Sequence, residues 1–163
     1  MLVPLVRPTL RRKDYNSVLN CMVTDQLAAG PLNQEFAAVL SKTLGVSGGI
    51  GMISYRTCIH CALQLLELEK GDGVILSALA PKEYLEVIEA GGFTAMVADV
   101  DAERPLLSAD SVQQYLSRGA KALVLYYTLG CLPPEDELFH LGVPVVEDVT
   151  QAAGGLWGEQ PCG

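Results

Sequence analysis

Two carboxylates in succession, Glu147 and Asp148, directly follow the apolar run Val143, Pro144, Val145 and Val146. Such a run reads as a buried strand, which puts both acids at its carboxyl end, where open α/β sheets bind their ligands. Ordinary loop capping is the other use of two acids at that place. A second group, Ser54, Tyr55, Arg56 and Thr57, stands where a glycine-rich apolar segment gives way to a helical pattern. A helix start offers unbonded N–H groups and the positive end of the helix dipole, so these residues read as a cradle for a phosphate or carboxylate. The competing reading has Ser54 or Thr57 only capping the helix while Arg56 stays in solvent.

Cys58 and Cys61 form a C-x-x-C with His60 inside it, a spacing that suits redox or metal chemistry. A structural zinc site takes four ligands. There is no second C-x-x-C, and His140 is the only other histidine, so no metal site is assigned and buried packing of two small thiols is the favoured reading. The glycines at 48, 49 and 51 suggest a dinucleotide loop, but Ser54 stands where the third glycine of G-x-G-x-x-G belongs.

The elements that must position these residues alternate along the chain. An extended arm at 4–8 is followed by a helix at 13–23, a break at Ala28-Ala29-Gly30-Pro31, and a helix at 34–44 with Asn33 as its cap and Gly45 at its end. A small-residue strand at 48–53 feeds the Ser54 turn and a helix running to about residue 69. Strands are predicted at 74–79, 94–100, 121–127 and 143–147. Helices lie between them at 81–90, from the Ser108-Ala109-Asp110 cap onward, and at 135–141. Alternation of this kind predicts a three-layer α/β fold on a mainly parallel sheet, in one domain over residues 1–163.

The 163 residues are half apolar and 18% charged, enough to bury a core, with 11 basic and 19 acidic residues giving a net charge of −8. That balance repels phosphate backbones and anionic lipid, so neither nucleic acid nor membrane is an expected partner. The apolar runs at 74–80 and 120–127 are too short to span a bilayer. Five cysteines without a secretory leader point to reduced thiols and a cytoplasmic setting.

Read together, segments along nearly the whole chain resemble the DegT/DnrJ family of pyridoxal phosphate (PLP)-dependent sugar aminotransferases, which have the aspartate aminotransferase fold. They are Pro4-Leu5-Val6-Arg7-Pro8, Gly30-Pro31 before Glu35-Phe36, Gly45-Val46, His60-Cys61-Ala62-Leu63, Gly71-Asp72-Gly73-Val74-Ile75 and Val97-Ala98-Asp99-Val100-Asp101. The most specific is Glu147-Asp148-Val149-Thr150-Gln151-Ala152, where the family reads E-D-A-A-Q-A or E-D-A-A-H-A.

The resemblance implies part of that family's large domain, with Asp148 in the place of the aspartate that pairs with the pyridine nitrogen and Gln151 near the phenolic oxygen. The family's phosphate-binding S-G-T or S-A-T falls on Ser54, Tyr55 and Arg56. Tyr55 thus brings bulk where backbone should approach closely, and Arg56 replaces threonine with a fork of donors. The aromatic that stacks on the ring aligns with Pro81. The Schiff-base lysine, which the family carries beyond the E-D-x-x-Q-A segment, has no counterpart, because no lysine follows Lys121.

These departures imply a degenerate or truncated homologue that does not transaminate alone, has no catalytic residue of its own, binds PLP non-covalently if at all, and serves in binding or assembly. Two alternatives stay open. One is the N-terminal part of an active nucleotide-sugar aminotransferase whose lysine comes from a downstream segment or a complementary subunit. The other is a small redox or metal module using Cys58 and Cys61. The resemblance also implies a homo-oligomer, a dimer whose sites draw on both subunits.

Overall fold

Residues 74–76 and 122–127 are nearly all apolar, the pattern of strands covered on both faces. A computed structural model of the chain describes residues 8–133 and 137–163. It places these segments at the centre of a four-stranded parallel sheet. Strands β1 (Gly73–Ser77), β2 (Thr94–Ala98), β3 (Ala120–Tyr126) and β4 (Val145–Asp148) lie in the order β2-β1-β3-β4. The order reverses between β1 and β3, and the carboxyl ends of these strands form the edge at which such sheets take ligands.

Alternating side chains feed two apolar layers. Val74, Leu76, Ala122, Val124 and Tyr126 face helices α3 (Tyr55–Gln64) and α4 (Lys82–Ala90), which contribute Ile59, Leu63, Tyr84, Val87 and Ile88. Ile75, Leu123, Leu125 and Tyr127 face the opposite way, toward Val112 of α5 (Ala109–Ser117), Leu138 and Ala152. The three-layer α/β architecture expected from the sequence is therefore present, with its core in the period-2 alternation of β1 and β3.

Helices α1 (Arg12–Val23) and α2 (Pro31–Leu44) precede this body. The sequence places the α2 cap at Asn33. Instead Gly30 occupies the cap in an extended conformation and Pro31 starts the helix, because its fixed φ already suits the first turn. Gly45 closes α2 in the left-handed conformation, φ +75°, as expected.

Residues 48–53 form no strand. Gly48 and Gly51 have no neighbour within 4 Å of a would-be Cβ, and Ile50 and Ile53 are 81% and 96% exposed. The segment pairs with none of the four sheet strands, and its glycines disfavour extended structure without a ladder. Helix α3 stops at Gln64 rather than near residue 69, since the chain turns at Glu67, which has φ +54°. Of the helix expected over 135–141 only a single 3-10 turn, Glu137–Phe139, falls among the described residues. The expected arm at 4–8 lies outside them except for Pro8. A short hairpin, β5 (Leu156–Trp157) and β6 (Gln160–Pro161), carries no clear signal in the sequence.

Candidate functional site at the carboxyl edge of the sheet

Asp148 is the last residue of β4, so the strand delivers it to the ligand edge. Its Oδ1 accepts from the backbone N–H of Thr150 at 2.8 Å and from the Thr150 hydroxyl. This small turn fixes the carboxylate without covering it, and Asp148 stays half-buried with Oδ2 unpartnered among the described residues. Its neighbour in register on β3 is Tyr126. The preceding Glu147 accepts from the Tyr127 hydroxyl at 2.6 Å, a cross-strand bond that ties β4 to β3 beneath the edge.

Gln151, one turn beyond, points its amide oxygen at the backbone N–H of Leu129, 2.7 Å away. That bond spans from the β4 turn to the loop after β3, where Leu129 has φ +57° and Gly130 φ +75°. Gln151 is exposed and its amide nitrogen makes no bond among the described residues.

Ser54 caps α3. Its hydroxyl accepts from the Thr57 N–H at 3.3 Å and lies 3.0 Å from the Thr57 hydroxyl. The cap leaves the N–H groups of Tyr55 and Arg56 without a partner among the described residues, so the positive end of α3 is open to an anion. The side chains of the same turn go elsewhere. Arg56 reaches α4, where its guanidinium sits 2.9 Å from Glu86, itself 3.7 Å from Lys82. Both partners of the closer pair are about half exposed, 49% and 45%, so it stabilises the fold by at most ~1 kcal/mol.

Tyr55 lies against Tyr84 with ring centroids 6.1 Å apart, and Tyr84 in turn against Tyr126 at 5.9 Å. Partial desolvation and the Glu83 carboxylate to which it donates push the Tyr55 phenol up. Glu83 is held below the ordinary carboxylate range, first by its own backbone N–H and then by the Tyr55 hydroxyl, Arg56 and Lys82. Tyr84 is 1% exposed, and its hydroxyl is buried without a partner among the described residues.

Of the residues singled out from the sequence, Ser54, Tyr55 and Arg56 thus share one helix start, and Asp148 and Gln151 share one turn at the end of β4. The line of rings Tyr55, Tyr84 and Tyr126 runs between the two groups. Pro81 stands at the cap of α4, one turn from Tyr84. The reading of Cys58 and Cys61 as buried thiols is corrected: Cys58 is exposed and Cys61 half-buried, because α3 turns Ile59 and Leu63 toward the sheet instead. Sequence reasoning missed Tyr84, Glu83 and Glu86. The Lys82/Glu86 spacing of four on a helix was visible, whereas the partnership of Glu86 with Arg56 joins residues on separate helices.

The uncommitted oxygen of Asp148, on a fixed strand end, suits a protonated ring nitrogen, and the start of α3 suits an anion through its backbone, with Arg56 committed to Glu86.

Solved structures share this fold. A GDP-4-keto-6-deoxy-D-mannose-3-dehydratase of E coli with bound hydrated PLP superposes with a TM-score of 0.89 at 18% identity, over 98% of this chain and 44% of that one. A Streptococcus pneumoniae protein described as a sugar aminotransferase, in its PLP form, gives 0.89 at 20% identity, over 99% of this chain and 46% of that one. The chain therefore spans less than half the length of these structures. No described helix is long and apolar enough to cross a membrane. Residues 8–163 match the pattern of the DegT/DnrJ/EryC1/StrS aminotransferase family, and with that extent of match the chain belongs to it.

Proposed function

We propose that these 163 residues are the cofactor-facing portion of an aminotransferase-type large domain that holds PLP non-covalently and does not transaminate by itself, serving as a binding or assembly partner. The observation that carries this reading is Asp148, anchored by Thr150 at the end of β4 with one oxygen open at the ligand edge. PLP, when bound, supplies an electron sink, which a carboxylate at the pyridine nitrogen strengthens. The chain's own contributions are to orient the ring through Asp148 and Gln151 and to offer the Ser54 helix start to the phosphate. No lysine lies between residues 122 and 163, so the amine for a Schiff base belongs outside this portion.

The test is a calorimetric titration of the purified chain with PLP beside Asp148→Ala. Saturable binding that weakens about tenfold or more in the variant is the expected result, since losing a charge-assisted bond costs ~1.5–3 kcal/mol. Equal affinity of the two proteins would sink the reading. The match to sugar-transforming enzymes over nearly all of this chain also supports a second role, as one portion of an active nucleotide-sugar aminotransferase. In that case a lysine-bearing segment added in trans restores transamination to the PLP-loaded chain.

The assembly half of the proposal rests on α1 and α2. Helix α1 buries none of its residues, and Val18, Leu19 and Met22 are exposed, as are Leu32, Phe36 and Val39 on α2. A 12-residue helix is marginal in water without a surface to lie on. A second copy of the chain supplies that surface. Sedimentation at micromolar concentration should show a dimer, and replacing Val18, Leu19 and Met22 together by Glu should yield monomers that still unfold cooperatively, at a lower melting temperature. A monomeric parent chain contradicts this.

A further inference from the structure

The four ionised side chains around the start of α3 cancel: Arg56 and Lys82 against Glu83 and Glu86. The helix start is open through its backbone, yet the cation that would draw a phosphate to it is turned onto α4. We propose that Glu86 acts as an acidic latch, holding Arg56 away from the α3 N-terminus and thereby setting a low affinity for the phosphate group. This deepens the PLP reading above and rests on its placing the phosphate at Ser54, Tyr55 and Arg56.

Geometry and energetics both allow the latch to open. The Arg56 to Glu86 contact is a half-exposed pair, weak enough for a dianion to displace. A phosphate at the helix start gains the Tyr55 and Arg56 N–H groups together with a fork of charge-assisted donors. In the latched state Glu86 is shared by Arg56 and Lys82, both of which also face Glu83, so replacing Glu86 removes the closest anion from Arg56 without removing every acid beside it. Beside them the Tyr84 ring lies against Tyr55, and its hydroxyl is buried without a partner among the described residues. Glu89 sits on the same helix, exposed and without a salt bridge among the described residues, and provides a control of equal charge.

The experiment titrates the full chain and its Glu86→Gln, Glu89→Gln and Glu86→Gln/Arg56→Gln variants with PLP, with pyridoxal, which lacks the phosphate, and with inorganic phosphate. Glu86→Gln should bind PLP and inorganic phosphate about fivefold tighter than the parent, leave pyridoxal unchanged, and lose its gain when Arg56 is also replaced. Glu89→Gln should match the parent. The latch is overturned if Glu86→Gln binds PLP no tighter than the parent, including the case where neither binds, or if Glu89→Gln gains as much. Because the PLP reading is judged by Asp148→Ala, a gain in Glu86→Gln without any effect of Asp148→Ala rejects that reading and keeps the latch.

Discussion

Leu63→Ala is expected to lower the stability of the chain by ~2–5 kcal/mol, the cost of a buried leucine truncated to leave a cavity. Leu63 is 1% exposed and packs with Ile59, Val74, Leu76, Tyr84 and Val124 in the layer that fixes α3 on the sheet. Domains of this size are stable by only ~5–15 kcal/mol, so the loss is a large part of the whole. Denaturant unfolding should show a lower midpoint with an unchanged slope. Leu65, two residues on and 82% exposed, supplies the comparison: Leu65→Ala should fall within ~0.5 kcal/mol of the parent. Similar losses for the two would mean that α3 does not present this face. The substitution also reaches the site, because α3 carries Arg56, is capped by Ser54, and meets α4 and β4. PLP affinity should therefore fall in Leu63→Ala even at temperatures where it is fully folded.

The contrast between these two leucines is one that periodicity resolves only in part. Strands β1 and β3 were legible because residues 74–76 and 122–127 are unbroken apolar runs of strand length between turn signals, the pattern of strands covered on both faces. Gln151 came only from the resemblance to the family's E-D-x-x-Q-A segment, its partner Leu129 lying 22 residues away. Asp148 was legible for a different reason: the acids directly follow the apolar run 143–146 and the anchor Thr150 is two residues on. Ser108 was equally local, capping α5 by accepting from Ser111.

What failed depended on the rest of the chain. Residues 48–53 read as a strand, but a strand exists only through a neighbour, and three glycines in six residues leave little side-chain packing to hold this segment against an edge of the sheet. Asn33 is a good capping residue two places inside a helix that Pro31 had already started. Arg56 looked like a free guanidinium at a helix start because Glu86 is thirty positions away, and only the packing of α4 beside α3 brings them together.

Gly130→Ala should be the most damaging glycine substitution in the site, and its effect should pass directly to Gln151. Gly130 has φ +75°, and a Cβ built there would lie 2.6 Å from the backbone oxygen of Gln151, closer than any real contact allows. Gly119 separates the two contributions, having φ +92° and nothing within 4 Å of its would-be Cβ. Gly119→Ala carries only the cost of a left-handed alanine, ~1 kcal/mol. Gly130→Ala adds a clash with a backbone atom that cannot rotate away, so the total should reach ~2–4 kcal/mol. Relief requires the loop after β3 and the turn after β4 to separate, which breaks the bond from the Leu129 N–H to the Gln151 amide. Thermal unfolding of the two variants, side by side, measures the clash as a difference. PLP titration then asks whether Gln151 has moved, with Gln151→Ala as the reference for its complete loss. If Gly130→Ala melts no lower than Gly119→Ala, the loop and the turn are not in contact, and the ring end of the site is not built on Gln151.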